Sequence, residues 1–419
     1  MIKLIYMIFS TDVDTYAVII CGYRNGNIML TIAELNANPH AAFERWRAVS
    51  PSVDYEGGGK FVLRYDDVSR LSSDPRIVAT GTALPESRGV ATGVLHDIFD
   101  LGMLTANGAE HQARRSIISR ALATVLASDL RSHVRTATED LIDTVYENGS
   151  AEFVSQFANP IPILALAGLL GVEMNDRERF ASRVEELGRF FAPASTDADI
   201  AVSSTAAEYL HDYLELKLRE KTKSGTSDFL AGVKAAGESE GLAPIEIVFQ
   251  IIQLILGGTE SVRASLAAQI SLLLQNRSQW NSVCGDASLV PGAVSEAMRY
   301  EPGIAGLVRA TAEPVELQEK TLPANSLVIL STMSALRDER VFKRPDTFDI
   351  HRDDLPRLHL AFGAGAHRCV ADHLARAELE EALAVFAARL PRLRLEDFPV
   401  FGGHLFIRTP GSFCVSWPR

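Results

Sequence analysis

The 419-residue chain is 47% hydrophobic and 22% charged, which excludes a disordered, collagen-like or purely coiled-coil polypeptide. Its net charge of −12 argues against nucleic acid as main partner, because phosphate binding needs a basic footprint. The four cysteines, Cys21, Cys284, Cys369 and Cys414, form no C-x-x-C pair, so neither a disulfide scaffold nor a multi-cysteine zinc site is expected and a reducing cytoplasm is the natural compartment.

At the N-terminus, Met1–Ser10 and Tyr16–Cys21 are apolar, but neither run reaches the roughly 20 residues that span a bilayer. Residues 1–35 read as an extension of unclear role, and 36–419 as one domain without internal repeats or linkers. Ser52–Tyr55 and Lys60–Tyr65 flank Gly57-Gly58-Gly59 and predict a hairpin. The stretch 75–106, rich in Gly, Ser and Thr, predicts a long loop, usually functional in a compact domain. Helical periodicity then predicts helices at 108–124, 127–147, 159–171, 175–190, 199–222, 244–275, 289–300 and 370–389. The segment 244–275 would be about 48 Å long at 1.5 Å per residue, and its apolar composition puts it through the middle of the molecule. Strands are expected at 314–317, 327–330 and 404–415. The fold class is mainly α with minor β.

Ala361-Phe362-Gly363-Ala364-Gly365-Ala366-His367-Arg368-Cys369 is the most informative stretch. Two glycines two apart permit positive φ and a tight turn. A helix from Val370 would put Cys369 at its N-terminus, where free N–H groups and the dipole favour a thiolate. That environment suits an axial iron ligand. On its own, Cys369 reads more readily as a small buried hydrophobe.

The surrounding residues reverse that balance. Phe362, Gly365, His367 and Cys369 resemble the F-x-x-G-x-x-x-C loop of the cytochrome P-450 family, and Leu374–Leu379 is similar to its bacterial members. The family's usual glycine two after the cysteine is Ala371 here. Glu296 and Arg299 share a helix face at i, i+3 and match the family's E-x-x-R pair, which Arg352 would lock. The resemblance makes all three structural. Gly257-Gly258-Thr259-Glu260-Ser261 matches the family's A/G-G-x-D/E-T, with Ser261 in place of Thr. Glycines inside a helix cost about 1 kcal/mol each relative to Ala. Close approach of a ligand would compensate, and Ser261 could bond the Gly257 carbonyl four residues back. Glu260 and Ser261 are the candidate catalytic pair, an acid and a hydroxyl able to relay protons. His111, Arg115, Arg309 and His367 match propionate contacts, and Phe362 and Gly363 would flank the haem beside its ligand Cys369.

The resemblance covers roughly residues 36–415. It implies the cytochrome P-450 fold, a long helix over haem b, and a monooxygenase that puts one atom of dioxygen into an apolar or amphipathic small molecule, as in secondary metabolism. Lacking a G-x-G-x-x-G unit and room for a reductase, the chain would take NAD(P)H electrons from a separate protein, most plausibly a ferredoxin docking on a basic face near Arg368 and Arg376. It would be a cytoplasmic monomer without a membrane span. Two alternatives stay open: haem-thiolate chemistry driven by peroxide or without oxygenation, and a non-catalytic haem sensor. The Ser261 replacement motivates the first, and the retained acid–hydroxyl pair argues against the second. Residues 76–100, 173–200, Ile252, Leu256, Gly257, Gly303–Val308 and Gly402–Phe406, with Phe190 and Phe191, are the expected substrate lining.

Overall fold

Five helices frame the interior: α1 (Gly108–Ala123), α2 (Ala127–Val145), α3 (Pro244–Gln275), α4 (Val290–Tyr300) and α5 (Asp372–Arg389). They belong to a computed structural model that describes residues 23–24 and 27–419, apart from 125–126, 193–194, 225–227 and 319. The predictions for Met1–Ser10 and Tyr16–Cys21 lie outside the described residues.

α3 runs unbroken for 32 residues through the core, as its apolar composition requires. Pro244 opens it with a preset φ and no wasted donor, and the Glu246 carboxylate accepts the Ala243 N–H at 3.0 Å. It is long and apolar enough to cross a membrane, yet 61% of its most apolar window is buried inside the protein, the pattern of a core helix. α5 packs against α2, α3 and α4.

The small β part has one principal sheet of five strands: β1 (Ser52–Asp54), β2 (Lys60–Val62), β3 (Ile77–Val78), β4 (Leu307–Thr311) and β5 (Leu327–Leu330), in the order β1-β2-β5-β4-β3. β2 and β5 are parallel and the other pairs antiparallel. β1 and β2 form the expected hairpin. Residue 30 onward joins this part of the molecule: Leu30 and Leu35 are buried beside Phe43 and Phe61.

The structure differs from expectation in several places. The stretch 75–106 holds β3 and two short helices, Ala83–Ser87 and Val94–Asp100. Only Thr409–Pro410 and Cys414–Ser416 of 404–415 are strands. The helix Phe229–Glu240 was hidden by Gly232 and Gly237. A Cβ on Gly237 would sit 2.4 Å from Ile247 Cδ1, so this glycine serves helix contact rather than a turn. Arg277–Gly285 is likewise a helix where none is expected.

Candidate functional site

The cysteine loop departs from helical geometry where glycine permits it. Gly363 and Gly365 have φ of +70° and +69°. A Cβ at Gly365 would lie 2.2 Å from the Ser72 carbonyl oxygen, so the loop is pressed onto the Ser72–Ser73 backbone and has no room for a side chain. The Cys369 N–H donates to the Phe362 carbonyl at 2.9 Å and closes the turn. Ala371 has φ −115°, which any residue adopts, so glycine is dispensable there.

Helix α5 begins at Asp372, later than expected, and Cys369 precedes it by three residues. Burial pushes the Cys369 thiol up, against a backbone hydrogen bond from Ala371 that pulls it down. The loop therefore gives the sulfur an N–H donor, but not the lowered pKa expected of a helix N-terminus. A bound metal would supply that, because coordination deprotonates a thiol outright.

Behind the loop, Glu296 and Arg299 on α4 are fully buried. Arg299 Nε and Nη2 donate to Glu296 at 2.7 and 2.9 Å, a two-pronged charge-assisted contact. Arg352 Nε completes a triad, 2.8 Å from Glu296 Oε2. Both arginines also donate to the Thr347 carbonyl, at 3.3 and 3.0 Å, and the Asp349 N–H donates to Glu296 at 2.8 Å. The triad thus holds the segment 345–354 that leads into the cysteine loop.

Above Cys369 lies a cavity of about 2060 Å³. A single-ligand pocket usually measures roughly 300–1,000 Å³, so this one has space for two occupants. The cysteine, Phe362, Gly363 and His367 line one side; Gly257, Gly258, Glu260 and Ser261 on α3 line another. A Cβ at Gly257 would meet nothing within 4 Å, whereas one at Gly258 would press on Leu166 at 3.2 Å. One glycine faces the cavity and the other allows helix packing. Ser261 Oγ donates to the Gly257 carbonyl at 2.7 Å, as the sequence predicts, while α3 stays helical through it. Glu260 is held by Arg263 at 2.6 Å, and its charge adds to burial in pushing the Glu185 carboxyl up.

His111, Arg115, Arg309 and His367 converge at the cavity's edge. The His111 and His367 rings are 4.0 Å apart. Burial, with Arg309, His111 and Arg115 nearby, lowers His367 to about 3, and burial chiefly lowers His111 too, so both are neutral at pH 7. Burial lowers Arg309 to about 10; among the described residues its guanidinium donates only to the Val308 carbonyl, at 2.9 Å, and no carboxylate pairs with it. Two cations, of which only Arg115 feels an acid, Asp372, and two neutral imidazoles are chemically suited to an anionic ligand. With a thiol on one wall and a hydroxyl on the other, this donor set fits a haem with two propionates.

Other expectations need correction. Arg376 does not join an exposed basic face: it is half-buried, donates to Ser295 Oγ at 3.1 Å and lies 5.0 Å over the Phe362 ring. Arg368 reaches the surface but is paired with Asp372 at 2.5 Å. Phe190 and Ile252 are core residues with no exposed surface, while Phe191, Phe99, Leu256 and Leu307 line the cavity. Sequence reasoning missed how the roof is held. Gln253 accepts the Leu104 N–H at 2.7 Å and donates to the Ile98 carbonyl at 2.7 Å, while Gln250 accepts the Met103 N–H at 2.8 Å. Two glutamines at i, i+3 in an otherwise apolar helix were the available signal. Arg88 fastens the other edge, donating to the Phe190 and Ala192 carbonyls.

A family model described as cytochrome P-450 matches residues 285–390. The chain is 35% identical over 386 residues to a plant-inducible cytochrome P-450, pinF1, of Rhizobium radiobacter, covering 92% of this chain and 91% of that protein. It is 32% identical to nocardicin C N-oxygenase of Nocardia uniformis subsp. tsuyamanensis, covering 90% and 95%. Among solved structures it superposes on CalO2 with a TM-score of 0.84 at 26% identity, covering 92% and 97%. On a myxobacterial cytochrome P-450 in complex with myristic acid the TM-score is 0.80 at 28% identity, covering 92% and 98%.

Proposed function

Because the chain belongs to the cytochrome P-450 family of haem monooxygenases, we propose that residues 30–419 form one oxygenase domain, six residues longer than the expected 36–419, in which Cys369 ligates the haem iron and the remaining cavity takes an apolar or amphipathic small molecule. The observation that carries this assignment is the single cavity bounded by Cys369 on one wall and Ser261 with Glu260 on the other. When bound, the haem supplies thiolate-assisted activation of dioxygen, one atom going to the substrate and the other to water. His111, Arg115, Arg309 and His367 hold its propionates, Phe362 and Gly363 shape the loop against it, and Glu296, Arg299 and Arg352 keep that loop in place.

Ser261 and Glu260 move protons. The Ser261 hydroxyl is anchored on the Gly257 carbonyl and lines the cavity, and Glu260 can turn from Arg263 to recharge it. Phe99, Phe191, Met103 and Leu104 exclude water from the substrate side. Electrons come from NAD(P)H through a separate ferredoxin-type protein in the cytoplasm. Its footprint includes Arg368 and excludes the half-buried Arg376. The apolar lining, with an oxygenase of a secondary metabolite and a myristic-acid complex among the similar proteins, supports a secondary-metabolite or lipid-like substrate, acted on by a monomer.

The test is spectroscopic. Reduced protein under carbon monoxide is expected to show the red-shifted Soret band of a thiolate-ligated haem, and Cys369→Ala to abolish it. A variant that keeps the band would overturn the assignment.

A further inference from the structure

Helix α4 ends on a second buried acid, Glu301, which the triad does not use. Three segments distant in sequence converge on it. His40, on the helix Pro39–Val49, donates from Nε2 to Glu301 Oε1 at 2.7 Å. Arg337 Nη2 reaches the same oxygen at 3.4 Å, while its Nε and Nη2 donate to the Tyr300 carbonyl at 3.1 and 2.8 Å. Arg408 Nε donates to the other oxygen, Oε2. Both arginines are buried with the acid. Burial pushes the Glu301 carboxyl up, but His40, Arg408 and Arg337 outweigh it and hold it at about 2. Arg408 also braces a hairpin, in which Phe401–Gly402 pairs with Thr409–Pro410. Its Nη1 donates to the Gly403 carbonyl at 3.1 Å, and its backbone N–H to the Gly303 carbonyl at 3.0 Å. The hairpin tip, Gly403–Ile407, is tightly folded: Gly403 has φ +84°, and a Cβ there would sit 1.9 Å from the Ile407 carbonyl oxygen. Every residue of the tip lines the cavity, whereas Glu301 and Arg408 stand behind it.

We propose that Glu301 and Arg408 are positioning residues for the oxygenase: their ion pair fixes the hairpin tip Gly403–Ile407 as one wall of the substrate cavity and so sets which molecules the site accepts. A hairpin this short has little of its own to hold it, since an isolated two-stranded ribbon is marginal in water. The Arg408 guanidinium supplies the missing bonds from inside the turn. Glu301 supplies the counter-charge without which a buried guanidinium is costly. Because Glu301 is held in turn by His40 and Arg337, the tip is referenced to the helix Pro39–Val49 and to the end of α4, and does not drift with the ligand. The ligand then meets a preformed surface, which spares it the cost of ordering the wall on binding. This inference rests on the oxygenase reading above and adds to it what holds one wall of the site.

Arg408→Met tests it, because Met fills much of the space while Glu301 keeps His40 and Arg337, so no buried charge is left alone. Two haem-binding azoles serve as probes in spectral titrations of the holoprotein: imidazole, which needs only the space beside the iron, and a biphenyl-substituted imidazole, whose tail fills the cavity beyond. The larger probe is expected to bind Arg408→Met about 10-fold more weakly, because a wall correctly placed about a tenth of the time lowers the apparent affinity by that fraction. Imidazole affinity and the carbon monoxide band are expected to hold. Arg408→Lys keeps the charge but not the fork; it should recover part of the loss, and it carries the same measurement if the Met variant fails to fold. Glu301→Gln, which breaks the pair from the other side, should move the ratio of the two dissociation constants in the same direction. A wild-type ratio in Arg408→Met, or an equal weakening of both probes, would mean that the pair does not position the wall, and the oxygenase reading would stand. If wild type gives no spectral shift with imidazole, the haem assignment fails first.

Discussion

Removing Arg299 tests whether the buried triad builds the cysteine loop. In Arg299→Ala, Glu296 loses two short hydrogen bonds, 2.7 and 2.9 Å, and keeps only Arg352 and the Asp349 N–H. The Leu336 and Pro345 carbonyls, which accept from Arg299 at 3.1 and 2.7 Å, lose that donor as well. Breaking a buried pair by removing one partner costs roughly 3–5 kcal/mol. The surviving Arg352 moves the figure toward the lower end. The two carbonyls push it back, at about 1–3 kcal/mol for each group left unsatisfied. A net loss of about 3–5 kcal/mol is a large part of the roughly 5–15 kcal/mol that holds a protein folded. The expected result is a sharply lowered urea midpoint and loss of haem, not a folded, haem-replete and inactive protein. Arg299→Lys should recover only part of the stability, since an ammonium keeps the charge but cannot make the two-pronged contact. A haem-replete Arg299→Ala protein with the wild-type midpoint would refute the reasoning.

Other substitutions separate the loop from the chemistry. Gly365→Ala puts a Cβ against the Ser72 carbonyl at a φ of +69°, so haem retention on gel filtration should fall while the helical circular dichroism stays. Ser261→Ala removes a hydroxyl but little buried area; fold and substrate affinity should hold, while product per NAD(P)H drops on the order of 10²-fold. Glu260→Gln should act in the same direction, because Gln cannot shuttle a proton, and unchanged coupling in both would take the pair out of the mechanism.

The parts of the site legible in the sequence are those whose geometry is local. Gly363 and Gly365 announce positive φ, Glu296 and Arg299 share a face by spacing alone, and Ser261 finds a carbonyl four residues back on its own helix. What was hidden depends on what comes from elsewhere in the chain. Arg376 reads as a surface cation beside a basic loop, and only the arrival of Ser295 and Phe362 buries it. The short helices within 75–106 have weak periodicity because Ile98–Leu104 is held by Gln250 and Gln253, roughly 150 residues away. Cys369 shows both sides: its turn is written in the glycines, but the burial that raises its thiol is set by the packing around it.

Glu378 gives the same lesson an equilibrium form. In sequence it is one acid of a charged helix, Glu378-Leu379-Glu380-Glu381; in the fold it is enclosed and its carboxyl rises from the ordinary 4.5 to about 8. The sign follows from proton counts. Below pH 4.5 the folded and unfolded chains both hold this proton, and stability owes nothing to pH through it. Between 4.5 and 8 the unfolded chain releases the proton and the folded chain keeps it, so rising pH favours unfolding. A single group contributes at most about 1.4 kcal/mol per pH unit across that window. Above pH 8 both forms are ionised and the contribution levels off. Glu378→Gln has no such proton to lose, so the urea midpoint of the holoprotein, measured for both proteins from pH 5 to pH 8, should diverge steadily in favour of the variant. Other titrating groups are common to both and cancel in the difference. Parallel curves would mean that Glu378 is ionised in the folded protein at neutral pH, and that its burial does not raise its carboxyl.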